Sequence, residues 1–243
     1  MVIKTRNGRV ITDQYATVAD AVAAQVDLTN ADLRGANLSH ANLTLAYLSH
    51  ADLTWANLKG ADLTKATLSD ATLSEATLKG AFLRLANLRG VNLVGADVTG
   101  ALLPYANLTG AELAGAILSE ADLSEANLTD ANLTNANLWY AVLSGANLTD
   151  ARLRNANLIR ANLSGANLTR AKIVGADLTK ATLTDANLTD AYLTNANLRE
   201  ANLFHANLSG ADLTRAELWD AHLTDANLTG AVMLLGNREM RFS

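Results

Sequence analysis

Residues 126–145 read ANLTDANLTNANLWYAVLSG, which is one five-residue phrase written four times. The same phrase runs without insertion from Val26 to Leu235, giving 42 copies. Its first slot is Ala in 40 copies and its third slot is Leu in 39. Inward-facing residues therefore recur at spacings of two and three. Neither the 3.6-residue period of a helix nor the alternation of a long strand fits this pattern, so we expect a chain that turns once every five residues.

The other three slots are polar in different ways. The second slot is Asn or Asp in 26 copies, and the fourth is mostly Ser or Thr. We interpret the fifth slot, which ranges from Gly60 to Lys65 to Asp70, as free to vary and facing solvent. One second-slot column holds Asn at every twentieth residue from Asn87 to Asn227, and stacked amides of this kind are expected to hydrogen-bond along the axis.

The phrase resembles the A-(D/N)-L-x-x motif of the pentapeptide repeat family over about nine tenths of the chain. The resemblance implies an all-β fold, a right-handed quadrilateral parallel β-helix with four pentapeptides per coil. Forty-two repeats then give about 10.5 coils. At roughly 4.8 Å per coil the rod would be on the order of 50 Å long, with Leu and Ala filling its shaft.

Three segments are expected. Residues 1–25 are predicted to be an N-terminal cap, made of a β-hairpin turning at Asn7-Gly8 and a short helix with Thr17 as its N-cap. Residues 26–235 form the β-helix, and residues 236–243 form a C-terminal cap or tail. Five apolar residues near this end either close the last coil or contact a second copy of the chain: Met233, Leu234, Leu235, Met240 and Phe242.

Outward apolar residues break the polar surface in the middle of the rod. We expect a single patch, and interpret it either as a protein-interaction site or as drift of the repeat on a stiff frame. Its members are Phe82, Leu85, Leu102, Pro104, Tyr105, Trp139, Tyr140 and Val142.

Catalytic and cofactor chemistry find no support in the sequence. The chain has no Cys, and no metal-binding, nucleophile or phosphate-loop motif occurs, so we expect neither an enzyme nor a cofactor or metal site. Among the four histidines, His205 and His222 are expected to approach each other without carboxylates around them.

Charge and hydropathy limit the partners. No apolar run is long enough for a membrane span and no signal-peptide core is found, so a cytoplasmic location is expected. We expect no nucleic acid, membrane or small-molecule partner. The candidates are an unidentified protein and a second copy of the chain.

Three functional readings follow. The first is a non-enzymatic interaction scaffold. The second comes from the family, some of whose members mimic DNA at type II topoisomerases. The repeats carry 21 acidic and 14 basic residues, a net −7, which is far below the charge density of a duplex. The third is a repeat protein, designed or recently duplicated, with no role beyond its fold.

Overall fold

The computed structural model describes residues 3–14, 16–235 and 238–241, with side chains described up to residue 234. Its named elements lie at the two ends of the chain. Strands β1 (Ile3–Lys4) and β2 (Val10–Thr12) precede helix α1 (Val18–Ala23), and β3 (Val232–Leu235) and β4 (Arg238–Arg241) follow the repeats. Between α1 and β3 the described backbone consists of turns joined by single parallel bridges.

The bridges show how the repeats stack. Each joins second-slot residues 20 positions apart, as in Asn87 to Asn107 to Asn127. Four repeats therefore make one coil, and each coil lies directly on the next. We number the four faces in chain order, so that face one contains residues 26–30, face two 31–35, face three 36–40 and face four 41–45, each recurring every 20 residues.

Every backbone N–H of a typical repeat has an acceptor. The second slot donates to the coil before, the third and fifth slots donate to the coil after, and the first slot closes a turn. The fourth slot has no backbone acceptor and takes the Asn or Asp side chain of the second slot instead. In the central repeat these five bonds run from Asn127 to Ala106 (2.9 Å), Leu128 to Asn147 (2.7 Å), Asp130 to Thr149 (3.0 Å), Ala131 to Leu128 (3.0 Å) and Thr129 to the Asn127 Oδ1 (3.1 Å).

The fifth slot is not free to vary. All 41 fifth-slot residues from Asn30 to Gly230 have φ between 54° and 72°, in the left-handed region, and 28 of them are not Gly. A β-branched side chain is strongly disfavoured there, and none of the 41 is Val, Ile or Thr. The side chains of this slot vary as expected, but its backbone conformation excludes a class of residue, so the slot is less free than its range of side chains indicates.

The first and third slots build the core as the pattern predicts. From Leu48 to Leu213 every first- and third-slot side chain is buried. The Asn column differs from the expected amide ladder. Asn167 Nδ2 donates to Thr149 Oγ1 at 3.0 Å, and that hydroxyl donates to Asn147 Oδ1 at 2.7 Å, so Thr hydroxyls relay most of the ladder.

A hairpin and a short helix precede the first coil. β1 pairs antiparallel with β2, and Thr17 and Asp20 form a capping box at the start of α1. The hairpin continues onto the first coil, where Thr5 bridges Ala31. Ile3 of the hairpin and Val22 of the helix are buried against the end of the shaft.

The C-terminal end carries a second hairpin. β3 pairs antiparallel with β4, which places Met233 opposite Met240, and Val232 bridges Asp212 of the preceding coil. Met233 and Leu234 are half-buried. Phe242 lies outside the described residues, as do the side chains of Leu235 and Met240.

Candidate functional site

Five residues form a compact apolar surface on face four, which we call the Phe82 patch: Phe82, Leu85, Leu102, Pro104 and Tyr105. Phe82 bridges Leu102 on the next coil, and the Leu85 N–H donates to the Pro104 carbonyl at 3.1 Å. Apart from half-buried Pro104, the side chains are between 40% and 53% exposed. They form two columns, because second-slot and fifth-slot residues stack on successive coils, and between the columns the Arg84 guanidinium lies 5.9 Å from the centre of the Tyr105 ring.

The expected single patch is divided. Asp122 bridges both Leu102 and Val142, so a carboxylate lies between Val142 and the Phe82 patch. Trp139 and Tyr140 lie on face three, with their rings in edge-to-face contact at 4.3 Å between centroids. The Arg160 guanidinium covers the Tyr140 ring at 5.5 Å. Trp139 and Tyr140 therefore form a second, smaller cluster, and Val142 stands apart from the Phe82 patch behind Asp122.

Two members of the Phe82 patch stand at positions where most repeats have Asn or Asp. Phe82 and Leu102 occupy second slots, where Asn or Asp would accept a hydrogen bond from the fourth-slot N–H. Pro104, the one proline of the chain, stands in the fourth slot of the Leu102 repeat. It has no N–H to leave unpaired and lies at the second position of its turn, which proline favours.

A basic cluster lies on face two. Arg152 bridges Lys172, which in turn bridges Tyr192. Together with Arg154, Val174 and Thr134 they line a shallow pocket of about 330 Å³. Arg170, which the sequence places near the same corner, is instead paired with Asp150 at 2.6 Å. Tyr192 could have been found by counting 20 residues on from Lys172.

The family model described as "Pentapeptide repeats (8 copies)" matches residues 27–64, 66–103 and a series of overlapping segments from 92 to 233. These matches cover most of the chain and coincide with the stacked coils. The chain belongs to the pentapeptide repeat family.

Solved structures of other pentapeptide repeat proteins are similar to it. HetL from the cyanobacterium Nostoc sp. strain PCC 7120, described as involved in heterocyst differentiation regulation, is 35% identical over 90% of this chain and 98% of its own, with a TM-score of 0.58. QnrB1, a plasmid-mediated fluoroquinolone resistance protein, is 19% identical over 79% of this chain and 88% of its own, with a TM-score of 0.40. No curated protein gives a significant match.

Ionisable groups of this pentapeptide repeat protein include one arrangement that the sequence analysis missed. His205 lies between two carboxylates, with Nδ1 3.5 Å from Asp185 and Nε2 3.4 Å from Asp225, and its ring stacks on Phe204. The expectation of a histidine without neighbouring carboxylates was wrong. Even so, no group of three or more His, Asp or Glu side chains in the described part of the chain could hold a metal ion.

Several Asp side chains lie in hydrogen-bonded niches of the same repeat. Partial burial raises the pKa of Asp97, but hydrogen bonds from Thr99 and Lys79 more than offset this and hold the pKa below its ordinary value of 3.8. The same balance lowers the pKa of Asp62, whose hydrogen-bond donors include Thr64. These shifts stabilise the charged form within a structural hydrogen bond, and no general base is indicated. No helix among the described residues could cross a membrane.

Proposed function

We propose that this pentapeptide repeat protein is a non-enzymatic scaffold that binds a protein partner through the Phe82 patch. The observation that carries the proposal is the stacking of exposed apolar side chains on successive coils of face four, Phe82 with Leu102 and Leu85 with Tyr105. Apolar side chains held side by side in water favour association, because their burial in a partner removes apolar area from solvent. Asp122 borders the Phe82 patch and gives it a charged edge.

The frame suits such a role because it is rigid where the patch lies. The Phe82 N–H donates to the coil before at 2.9 Å, and the Leu83 N–H donates to the coil after at 2.6 Å. Side chains fixed in this way have less conformational freedom to lose on binding than residues of a mobile loop. HetL is described as involved in heterocyst differentiation regulation, and a scaffold that acts by binding a partner is compatible with such a role.

The finer features of the scaffold belong to the same proposal. We infer that the coil is right-handed and four-sided, and that residues 1–25 cap its first turn. The Thr5 bridge to Ala31 and the buried side chain of Ile3 support the capping role. At the other end, the terminal hairpin either closes the last coil or contacts a second copy, and the described pairing of β3 with β4 is compatible with both.

The test is a triple variant, Phe82→Asn, Leu102→Asn and Tyr105→Asn. Asn is the most frequent residue of the second slot, and it tolerates the left-handed backbone of the fifth slot, so the coil should stay intact. The matched control, Ile117→Asn, Tyr47→Asn and Trp55→Asn, changes the same slots on other faces. Affinity capture from the native cell and sedimentation velocity would compare both with the wild type. We expect the triple variant to lose a partner, or a self-association, that the control keeps.

Identical associations in all three proteins would overturn the proposal. The alternative of DNA mimicry at a topoisomerase is tested separately by a gyrase supercoiling assay. We expect no inhibition, because the basic cluster interrupts the negative surface that a mimic of a duplex requires.

A further inference from the structure

We propose that the basic cluster on face two is a docking site for a short acidic peptide segment of a protein partner. This inference goes beyond the role of the Phe82 patch, since the two surfaces lie on different faces and share no residue. The cluster consists of Arg152, Arg154 and Lys172, with Tyr192 and Val174 beside them.

The geometry brings three cations and an aromatic ring into one small area. Arg152 and Lys172 are bridged on adjacent coils, and Tyr192 is bridged to Lys172 on the coil after that. At roughly 4.8 Å per coil the three residues span about 10 Å. Arg154 and Val174 stand beside them in the fourth slot. The cationic side chains can thus pair with two carboxylates of a ligand, and Tyr192 and Val174 can contact one neighbouring apolar side chain.

Carboxylates of the protein itself do not neutralise this cluster. Arg152, Arg154 and Lys172 form no ion pair with any described residue, and Asp150 on the adjoining face one is paired with Arg170. Glu112 accepts from the Asn132 amide at 2.7 Å, and Asp212 accepts from Thr194 at 2.9 Å. The basic side chains are all exposed and free to meet a partner.

The cluster is costly to the fold. Like charges directly opposite each other on neighbouring strands repel, and Arg152 faces Lys172 in this way. Both also occupy second slots, so the fourth-slot N–H groups of Arg154 and Val174 lack the Asx acceptor that most repeats provide. An anionic partner would relieve the repulsion between Arg152 and Lys172. The missing hydrogen-bond acceptors are a separate loss, which Asn in these two slots would have avoided. The arrangement therefore fits a binding role better than a stabilising one.

The size and surroundings of the cluster favour a peptide over a nucleic acid. The cations end within two coils, and the repeats as a whole carry 21 acidic against 14 basic residues. Asp130 and Asp190 border the adjoining corner of face one. A phosphodiester chain would run past the cations into these carboxylates and be repelled. Two glutamates next to an aromatic residue match the extent of the site.

The experiment uses the full chain and a dye-labelled peptide with two glutamates beside a tyrosine, read by fluorescence anisotropy at low salt. The test variant is Arg152→Asn with Lys172→Asn, which installs the residue that the repeat prefers. The control is Lys59→Asn with Lys65→Asn, an equal change of charge at exposed positions on other parts of the rod. We expect the test variant to lose about tenfold or more in affinity and the control to change less than about twofold. The peptide with glutamine in place of glutamate should bind as weakly as the test variant does.

Two further readings make the proposal falsifiable. The test variant should melt at or above the wild-type temperature, because it removes a like-charge pair and restores two Asx hydrogen bonds. A lower melting temperature would assign the cluster a structural role and overturn the proposal. Equal peptide binding by wild type and test variant would do the same, as would tighter binding of a single-stranded oligonucleotide to the same residues. Loss of binding here leaves the Phe82 patch intact, so the two proposals can fail independently.

Discussion

A single residue in this protein is selected by its backbone position as much as by its side chain. The fourth-slot N–H has no backbone acceptor, which explains why Asn or Asp is frequent two residues earlier: in the Asn147 repeat, the Thr149 N–H donates to the Asn147 Oδ1 at 3.1 Å. The fifth-slot residue must adopt positive φ, which Gly, Asn and Asp do at least cost. The residue preferences of the repeat therefore follow from two requirements: a hydrogen-bond partner for each backbone N–H, and a residue that tolerates positive φ in the fifth slot.

Lys65 provides a test of the fifth slot. Its φ is 57°, and its side chain is exposed. We expect Lys65→Val to lower the free energy of unfolding by about 1 to 2 kcal/mol, because a β-branched residue is strained at this φ. Lys65→Asn should be neutral or slightly stabilising. Urea denaturation measures both.

The control for this prediction is Lys59→Val in the fourth slot. That slot already holds Val94 and Val174, and the Lys59 N–H keeps its bond to Asn57 Oδ1 after the change. Its cost should stay below about 0.5 kcal/mol. An equal loss at both sites would show that backbone conformation does not limit the fifth slot.

The sequence predicts some of these slots well and others poorly. Ala in the first slot and Leu in the third define the core directly, because their spacing alone fixes which side chains point inward. The constraint on the fifth slot is visible in the sequence as the absence of Val, Ile and Thr. It is easily overlooked because the residues that do occur there, such as Trp55, Gly60 and Lys65, differ widely in size and charge. The Thr relay of the Asn column was not predictable, because it depends on hydroxyl directions rather than on spacing.

The N-terminal hairpin is the element that connects the irregular part of the chain to the coils. Local signals, Asn7-Gly8 and the Thr17 capping box, are the basis on which the hairpin and the helix are predicted from the sequence. Its attachment depends on a distant contact that no local pattern shows. Arg6 donates to Asp52 with Nη2 at 2.7 Å and Nε at 3.0 Å, and Asp52 is the one charged residue buried among the described side chains, at 5% exposure.

Arg6→Ala should weaken the hairpin's attachment. It leaves the buried Asp52 carboxylate with Thr54 and with Arg34, whose Nε lies 3.7 Å away. Because Arg6 itself is largely exposed, we expect a loss of about 1 to 2 kcal/mol rather than the full cost of breaking a buried pair. Thermal and urea denaturation measure this loss.

Two companion variants interpret that result. Arg9→Ala lies in the same hairpin, is exposed and should change stability little. Adding Asp52→Asn to Arg6→Ala should recover part of the loss, because the neutral amide is less costly to leave without a cation. Equal effects of Arg6→Ala and Arg9→Ala would show that the ion pair does not hold the hairpin on the coil.

At the scale of the whole rod, function is a matter of which columns depart from the repeat. The Phe82 patch and the basic cluster lie on faces four and two, which are half a coil apart around the axis. Both include second-slot residues, such as Phe82 and Arg152, that cannot accept the hydrogen bond that Asn or Asp accepts from the fourth-slot N–H. Residues at a spacing of 20 can be grouped into columns from the sequence alone. The expectation of a single apolar patch nevertheless overlooked Asp122, which lies between Leu102 and Val142. The spacing of 20 residues predicts which side chains stack on one another, whereas their exposure and their ion pairs can be read only from the structure.

The same Asx hydrogen bonds make the rod sensitive to acid. Asp62, Asp97 and Asp212 occupy second slots. For each of them partial burial raises the pKa, but hydrogen bonds from neighbouring Thr side chains and N–H groups more than offset this effect and hold the pKa below 3.8. A carboxylate whose pKa is lower in the folded than in the unfolded chain contributes stability that is fully present above the unfolded value. This contribution is lost as the pH falls through the folded pKa.

We therefore expect the melting temperature to be nearly constant from pH 7 to about pH 5 and to fall below about pH 4, as the unfolded chain begins to bind more protons than the folded one. Calorimetry at closely spaced pH values measures the decline. The matched variant is Asp62→Asn, Asp97→Asn and Asp212→Asn, in which each amide oxygen can still accept the fourth-slot N–H but no longer titrates. Its melting temperature should fall less between pH 5 and pH 3 than that of the wild type, although it loses the Lys79 pair with Asp97 at neutral pH. If the two proteins decline in parallel, the acid sensitivity comes from other groups and the Asx carboxylates contribute to the rod as neutral hydrogen-bond acceptors would.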